Sequence, residues 1–452
     1  MKIFNLSITR ASLLLDFVAK PNTNPCGGSI NPFPGLRGRT MGLLIVAGLI
    51  GSTQWETASL AGDWPQILGP LRNGAASDEP TPGQWPAAGP TTVWERKIGS
   101  GYAGPAVRQN RLILFHRTGS REILEALDGK TGDRIWTTDF KATYSGGVNP
   151  DQGPRCVPII HGEHVFAFGA AGDLYCVHWS TGDSVWTRHL YADYQGDEGY
   201  FGAGSTPIII GNKLLVNIGG KGNAGFVAVA LESGKTLWKS TDEKASYSSP
   251  VVTRINGQRY ACFITRLNAV VVDPRNGSVA MRLPFGKRGP TVNAASPLII
   301  GDRLFLSASY GIGAVMTRLS PNGLQIVWAK QETLASQYNS AVHHDGYLYG
   351  IDGREDAGAA SLQCVAADSG DVAWSQTGFG TANLILVGTR ILAIHSDGRL
   401  TLLQASPDRF QVEQQSRLFP DMSRALPALS NGLLFARNSS TLKCVRVANR
   451  IQ

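Results

Sequence analysis

Along most of the chain, short apolar runs alternate with turn residues at a spacing that suits strands. A small residue plus Pro, or a variant of it, opens an apolar strand that turns through a Gly/Asn/Asp pair into a second strand. This unit begins at Pro105, Pro158, Pro207, Pro250, Pro297, Ala341, Leu384 and Pro427. The turns read as Gln109-Asn110, His161-Gly162, Gly211-Asn212, Asn256-Gly257, Gly301-Asp302, Asp345-Gly346, Gly388-Thr389 and Asn431-Gly432. Such pairs accept the positive φ of a two-residue hairpin and so mark where a strand reverses. Successive units lie 43 to 53 residues apart, the length of four short strands with their turns in one propeller blade. No sustained helical period appears outside the N-terminus.

A second signal repeats independently of the first. The pattern AxDxxxGxxxW stands intact from Ala126 to Trp136 and returns at Cys176 to Trp186, Ala228 to Trp238, Val271 to Met281 and Cys364 to Trp374. A looser copy ends at Trp328, and a degenerate one lies near Phe410 and Val412. Its logic is a tight hairpin: Asp caps the turn, Gly takes positive φ, and Trp packs between neighbouring sheets. Trp94, Trp136, Trp186, Trp238, Trp328 and Trp374 are therefore expected to dock blade on blade. At the ends, Thr92 to Glu95 resembles a fourth strand without its first three, and Leu442 to Val447 a third strand lacking its fourth. Pairing them would close the ring without an exposed sheet edge. The expected fold is all-β: an eight-bladed propeller of four-stranded antiparallel blades, with N- and C-terminal strands sharing one blade.

Composition agrees with that reading. Of 452 residues, 42% are hydrophobic, and 53 Gly and 24 Pro signal many tight turns. Met41 to Ile50 is an apolar stretch that follows Arg37 and Arg39 and precedes Ser59-Leu60-Ala61. This is the layout of a secretory signal, too short to span a bilayer. The expected organisation is a non-native or disordered extension over 1–40, a signal peptide over 41–61, a lead-in segment over 62–91 and the propeller over 92–450. Export to the periplasm or beyond follows, with no integral span after cleavage. Losing the first 61 residues lowers the formal charge from +8 to about +5, an ordinary basic surface. No run of Lys/Arg with interleaved aromatics points to nucleic acid. Cys156, Cys176, Cys262, Cys364 and Cys444 are widely spaced and form no CxxC; small buried core positions are expected for them. A closed ring needs no second copy to satisfy its edges, so a monomer is expected.

The motif from Ala126 to Trp136 resembles the tryptophan-docking motif of pyrroloquinoline-quinone-dependent alcohol dehydrogenases and of the outer-membrane assembly lipoprotein BamB. The resemblance runs from roughly Trp64 to Val447. Asp63-Trp64-Pro65 with Gly69 and Arg72, then His116-Arg117, Tyr247 to Pro250 and Asn293 to Pro297, is similar to secreted PQQ-like propellers of planctomycete type. The resemblance implies a PQQ-like repeat propeller and leaves two functions open: a BamB-like scaffold, or a quinoprotein dehydrogenase with pyrroloquinoline quinone and calcium.

In a propeller the loop entering the innermost strand and the loop between the second and third strands share one face. Their polar residues therefore converge on the channel. Candidate ligand-binding residues are His116, Arg117, Arg155, Tyr247, Arg266, Asn293, Tyr310, Tyr338 and Asn339, a set suited to a polar small molecule, a carbohydrate or a segment of another protein. No metal site is expected: His161 and His164 flank a hairpin on the other face, and His343 and His344 are adjacent in a strand and point apart. A quinoprotein needs calcium ligands, a carboxylate base and often vicinal cysteines capping the quinone, and no two cysteines here are adjacent. No catalytic residue and no cofactor are assigned. The expected function is an exported binding scaffold for an envelope or extracellular protein, a carbohydrate or a small polar ligand, with the quinone-dependent dehydrogenase as the alternative.

Overall fold

A computed structural model describes residues 62–448, so the expected extension and signal segment lie outside the described residues. Thirty-two strands form eight antiparallel sheets of four, and the one helix among the described residues is the single turn Leu190–Tyr194. The chain is an eight-bladed β-propeller. Blades I to VII each take four consecutive strands, over residues 106–141, 159–189, 208–240, 251–284, 298–330, 342–376 and 382–417. Blade VIII runs Ala428–Ser430, Leu433–Arg437 and Thr441–Arg446, and receives Thr91–Lys97 as its outer strand. Trp94 stands opposite Cys444 in that pairing, so the two chain ends close the ring.

The turn chemistry explains the inner hairpins. Asn256, Asp345 and Asn431 sit at φ of 50°, 45° and 53°, each followed by a glycine at positive φ. Positive φ at both central residues matches the right-handed twist of the strands they join. In the outer turn, the Asp128 carboxylate accepts the N–H groups of Lys130 and Thr131 at 2.8 and 3.1 Å, which is the expected cap.

Docking between blades follows one rule. The Trp94 indole donates to the Gly129 carbonyl at 3.0 Å, Trp136 to Trp179 at 3.0 Å, Trp186 to Leu231 at 2.8 Å, Trp238 to Pro274 at 3.0 Å, Trp328 to Ala367 at 2.9 Å and Trp374 to Ser406 at 2.9 Å. Each bond crosses to the next blade. There the motif glycine must stay bare, because a Cβ on Gly132, Gly182, Gly234, Gly277 or Gly370 would fall within 2.7 Å of the incoming indole. A β-bulge beside each docking position turns that residue toward its neighbour. The apolar burial and the satisfied indole N–H both act at the same contact.

Two junctions lack the tryptophan. Blade IV carries Met281, opposite Val271, which shares a core cluster with Leu319 of blade V. In blade VII the docking position is not at Phe410 or Val412 but at Gln414, opposite Leu402. Here the lead-in segment supplies what the repeat omits. Gln414 accepts the Trp85 N–H at 2.5 Å and donates to the Gly83 carbonyl at 2.8 Å, and the Trp85 indole donates to the Val447 carbonyl at 3.1 Å. Val447 lies three residues after Cys444, as Gly129 lies three after Ala126, so the seventh blade borrows its docking indole from the chain's start.

The rest of the lead-in crosses the face that carries the inner hairpins. Trp64 exchanges both backbone hydrogen bonds with Val107 at 2.8 Å, Asp63 accepts the Gln109 N–H at 2.8 Å, and Glu79 accepts the N–H groups of Asn431 and Gly432 at 2.8 Å. Arg72, only 4% exposed, donates to the carbonyls of Pro207 and Pro250, which open the inner strands of blades III and IV. Burial pulls its guanidinium down to about 9. The segment covers the axis on this face and makes it a floor.

The five described cysteines are free and buried. Cys176, Cys364 and Cys444 each stand opposite a docking tryptophan, where only a small residue fits. Burial pushes the thiols of Cys156, Cys176, Cys262 and Cys444 up to about 12, which leaves them protonated and inert.

Candidate functional site

The opposite face opens into a cavity of about 710 Å³, within the range of small-molecule sites. Its wall obeys the repeat. The third residue before each of the eight strand-opening positions is Tyr102, Arg155, Gly204, Tyr247, Ala294, Tyr338, Thr381 and Arg424, and all but Thr381 line the cavity. One register of the repeat thus places one residue per blade around the mouth, and Thr381 takes part through the Tyr338 hydroxyl at 3.3 Å. From Arg155 to Arg424 small residues alternate with large ones, for a steric reason at Gly204: a side chain there would meet the Tyr247 ring, already 2.6 Å from the Cβ position.

The large residues are held from behind. The Tyr247 hydroxyl accepts the N–H groups of Tyr200 and Phe201 at 2.8 and 3.1 Å, and the Phe201 ring meets Tyr247 edge-on at 5.3 Å. Arg155 donates to the Asp151 and Gly153 carbonyls and lies over the rings of Tyr144 and Tyr102 at 5.1 and 5.7 Å, leaving its buried Nε without a partner. Glu355 Oε2 receives both the Tyr338 hydroxyl at 3.0 Å and Arg424 Nε at 2.9 Å. Tyr310 is held at a φ of +65°, which bulky residues rarely adopt, with Arg354 over its ring at 4.5 Å.

Four of the sequence candidates therefore meet in the cavity: Arg155, Tyr247, Tyr310 and Tyr338. Arg266 and Asn293 line an adjoining depression that shares Tyr247. Arg266 donates to the carbonyls of Lys287 and Gly289, and Asn293, fully buried, to that of Thr265 at 2.8 Å. The other three turn inward. His116 accepts the Gly99 N–H on Nδ1 at 3.0 Å, so its proton sits on Nε2 and faces Glu125 at 3.2 Å. Burial alone would raise the Glu125 carboxyl, but His116, Arg96 and Arg134 hold it below the usual range. Arg117 ties the carbonyls of Gly119, Tyr144 and Gln152, and Asn339 is buried against Asn383 at 3.0 Å.

Tyr102 and Arg424 were not among those candidates, although both occupy the register position that Arg155, Tyr247 and Tyr338 share. Counting back three residues from every strand opening is the signal that finds them. The residues do not fit calcium with a quinone. Among the described residues no three His, Cys, Asp or Glu side chains gather to hold a metal, and the carboxylates at the mouth are tied to arginines, Glu355 to Arg424 and Asp356 to Arg354.

Comparison with known proteins agrees with the architecture. The family model described as outer membrane protein assembly factor BamB matches residues 120–376, more than half of the chain. BamB from Moraxella catarrhalis superposes with a TM-score of 0.57 at 14% identity, over 78% of this chain and 96% of that one. The quinohemoprotein alcohol dehydrogenase of Comamonas testosteroni gives 0.53 at 13%, over 88% and 82%. A computationally designed protein, Ika8, gives 0.56 at 11%, over 79% and 100%. At these identities the solved structures speak for the fold alone. No curated protein sequence matches the chain.

Proposed function

Because the chain belongs to the family of the outer membrane protein assembly factor BamB, we propose that it is an exported binding scaffold whose open mouth receives a polar ligand, presented by an envelope or extracellular protein, by a carbohydrate or as a small molecule. The observation that carries this reading is the asymmetry of the axis. One end is stopped by Arg72 and the lead-in segment, whereas the other is ringed by one residue per blade, with tyrosine rings and the unpartnered Nε of Arg155 among them. A blind, rigid cup suits capture. The fold likeness to quinohemoprotein alcohol dehydrogenases speaks for architecture alone, and among the described residues no three His, Cys, Asp or Glu side chains gather to hold a metal, so it does not favour oxidation over binding.

Export rests on the apolar stretch after Arg39. No helix among the described residues is long and apolar enough to cross a membrane. The test is reconstitution: purified protein is incubated with pyrroloquinoline quinone and Ca²⁺, then assayed for bound quinone absorbance and for alcohol-dependent dye reduction. Neither signal is expected. Reproducible dye reduction would overturn the scaffold reading in favour of a dehydrogenase.

A further inference from the structure

The paired charges at the mouth say what kind of ligand fits. Tyr338 and Arg424 Nε both bond the same oxygen of Glu355, Oε2. Among the described residues the other oxygen, Oε1, has no protein donor, and neither Nη group of Arg424 has a protein acceptor. A carboxylate acceptor and guanidinium donors therefore stand side by side with open valences, and the pair carries no net charge. That pattern suits two adjacent hydroxyl groups, one accepting from the guanidinium while the other donates to the carboxylate. It opposes an anion, because a ligand carboxylate drawn to Arg424 would meet the bare Glu355 oxygen.

Beside the pair lie flat apolar surfaces. Tyr247 and Tyr338 line the cavity, Tyr247 braced edge-on by Phe201, whereas the Tyr102 ring is taken up by the guanidinium groups of Arg155 at 5.7 Å and Arg424 at 6.0 Å. Aromatic faces next to a donor–acceptor pair match the two sides of a sugar ring, with C–H groups on one face and hydroxyls at the edge. The lip adds Val148 and Met422, 73% and 46% exposed, a surface for the next unit of a chain and a poor one for a polyanion. Tyr310, held at a strained φ, closes the same wall; strain of this kind collects at ligand sites.

We propose that the channel mouth binds a neutral oligosaccharide, gripping adjacent hydroxyls with Arg424 and Glu355 and stacking the sugar ring on its tyrosines. The inference rests on the scaffold reading of the cup and deepens it. The test titrates the full secreted chain with cellotetraose, xylotetraose and maltotetraose, and with tetragalacturonate as the acidic control, by calorimetry and saturation-transfer NMR.

At least one neutral tetrasaccharide is expected to bind, and more tightly than tetragalacturonate. Glu355→Gln should weaken the neutral sugar at least tenfold while raising affinity for tetragalacturonate, because it frees the Arg424 charge. Arg424→Gln should weaken the neutral sugar without that gain, and both variants should melt with the wild type. Absence of binding by all three neutral sugars, tighter binding of tetragalacturonate to the wild type, or unchanged affinity in Glu355→Gln would overturn the inference. Those results leave the scaffold reading in place, whereas quinone-dependent dye reduction sinks the scaffold reading itself.

Discussion

The two faces of the propeller are made by the same repeat yet use their polar groups differently. On the floor face, short hairpins place Asn, Asp and Gly at positive φ, and the lead-in fastens Asp63, Arg72 and Glu79 to backbone groups of four blades. On the mouth face a tyrosine occupies the left-handed region, and Arg424 and Glu355 keep valences that no group among the described residues fills. Backbone partners on one face hold the ring together, while side chains on the other face are positioned from behind but left open in front. The repeat therefore fixes stability and leaves the mouth positions free to differ from blade to blade.

If this separation is real, the largest losses of stability belong to docking and floor residues. Trp136→Ala removes an indole that is 7% exposed and bonded across to blade II, and should cost about 3–5 kcal/mol in equilibrium unfolding. Trp85→Ala should cost about 2–3 kcal/mol although Trp85 lies outside every blade, because it removes a half-buried indole packed against the core beside the closing blade and leaves the Val447 carbonyl without its donor. Thermal and urea melts of the two variants check both. A Trp85→Ala protein that melts with the wild type would mean the lead-in is only an ornament on the ring.

Most of the fold was legible because its determinants are local. A strand opening, a two-residue turn and a Gly-to-Trp spacing each fall within a dozen residues, so alternation and turn chemistry mark them without knowledge of the partner. The role of Trp85 was not legible, since its acceptor Val447 lies 362 residues away. The site was half legible. Arg155, Tyr247 and Tyr338 share a register that the sequence displays, and Tyr102 and Arg424 share it too. Those two flank the blade assembled from both chain ends, and the strand openings at Pro105 and Pro427 mark them as they mark the other three. His116 and Asn293 show the reverse problem. Their polarity resembles that of a site residue, but inside the wall a carboxylate nine residues along the hairpin partners His116, and backbone carbonyls take the Asn293 amide N–H groups while its buried Oδ1 has no partner.

A buried carboxyl near the mouth sharpens the comparison with pH. Glu122 is 2% exposed, accepts the Ala170 N–H at 3.0 Å and lies 3.4 Å from the Tyr175 hydroxyl. Burial pushes its carboxyl up to about 7 from 4.5, and the nearby Asp173 pushes the same way. The folded chain therefore holds a proton that the unfolded chain releases at lower pH. Its stabilising share is complete below about 4.5 and disappears as pH rises through 7. The loss should be on the order of 2–3 kcal/mol. Urea unfolding at pH 5 and pH 8 should show the wild type losing stability across that window and Glu122→Gln losing much less. Equal slopes for the two proteins would rule Glu122 out as the source.

The smallest expected effect on stability lies at Tyr310, and it separates the faces most sharply. Glycine at this position relieves a left-handed conformation that costs a bulky residue about 1–2 kcal/mol. It also forfeits the contact with Arg354 at 4.5 Å and the Gln337 hydrogen bond at 3.3 Å, worth about 1 kcal/mol together at an exposed site, and it adds the backbone entropy of glycine, about 0.5–1 kcal/mol. These terms oppose one another, so Tyr310→Gly should move the unfolding free energy by less than about 1 kcal/mol. A floor residue of similar burial could not be removed so cheaply, because its partners are backbone groups with nowhere else to turn. A loss above about 2 kcal/mol would place Tyr310 among the residues that hold the ring together and erase the distinction between the faces at this position.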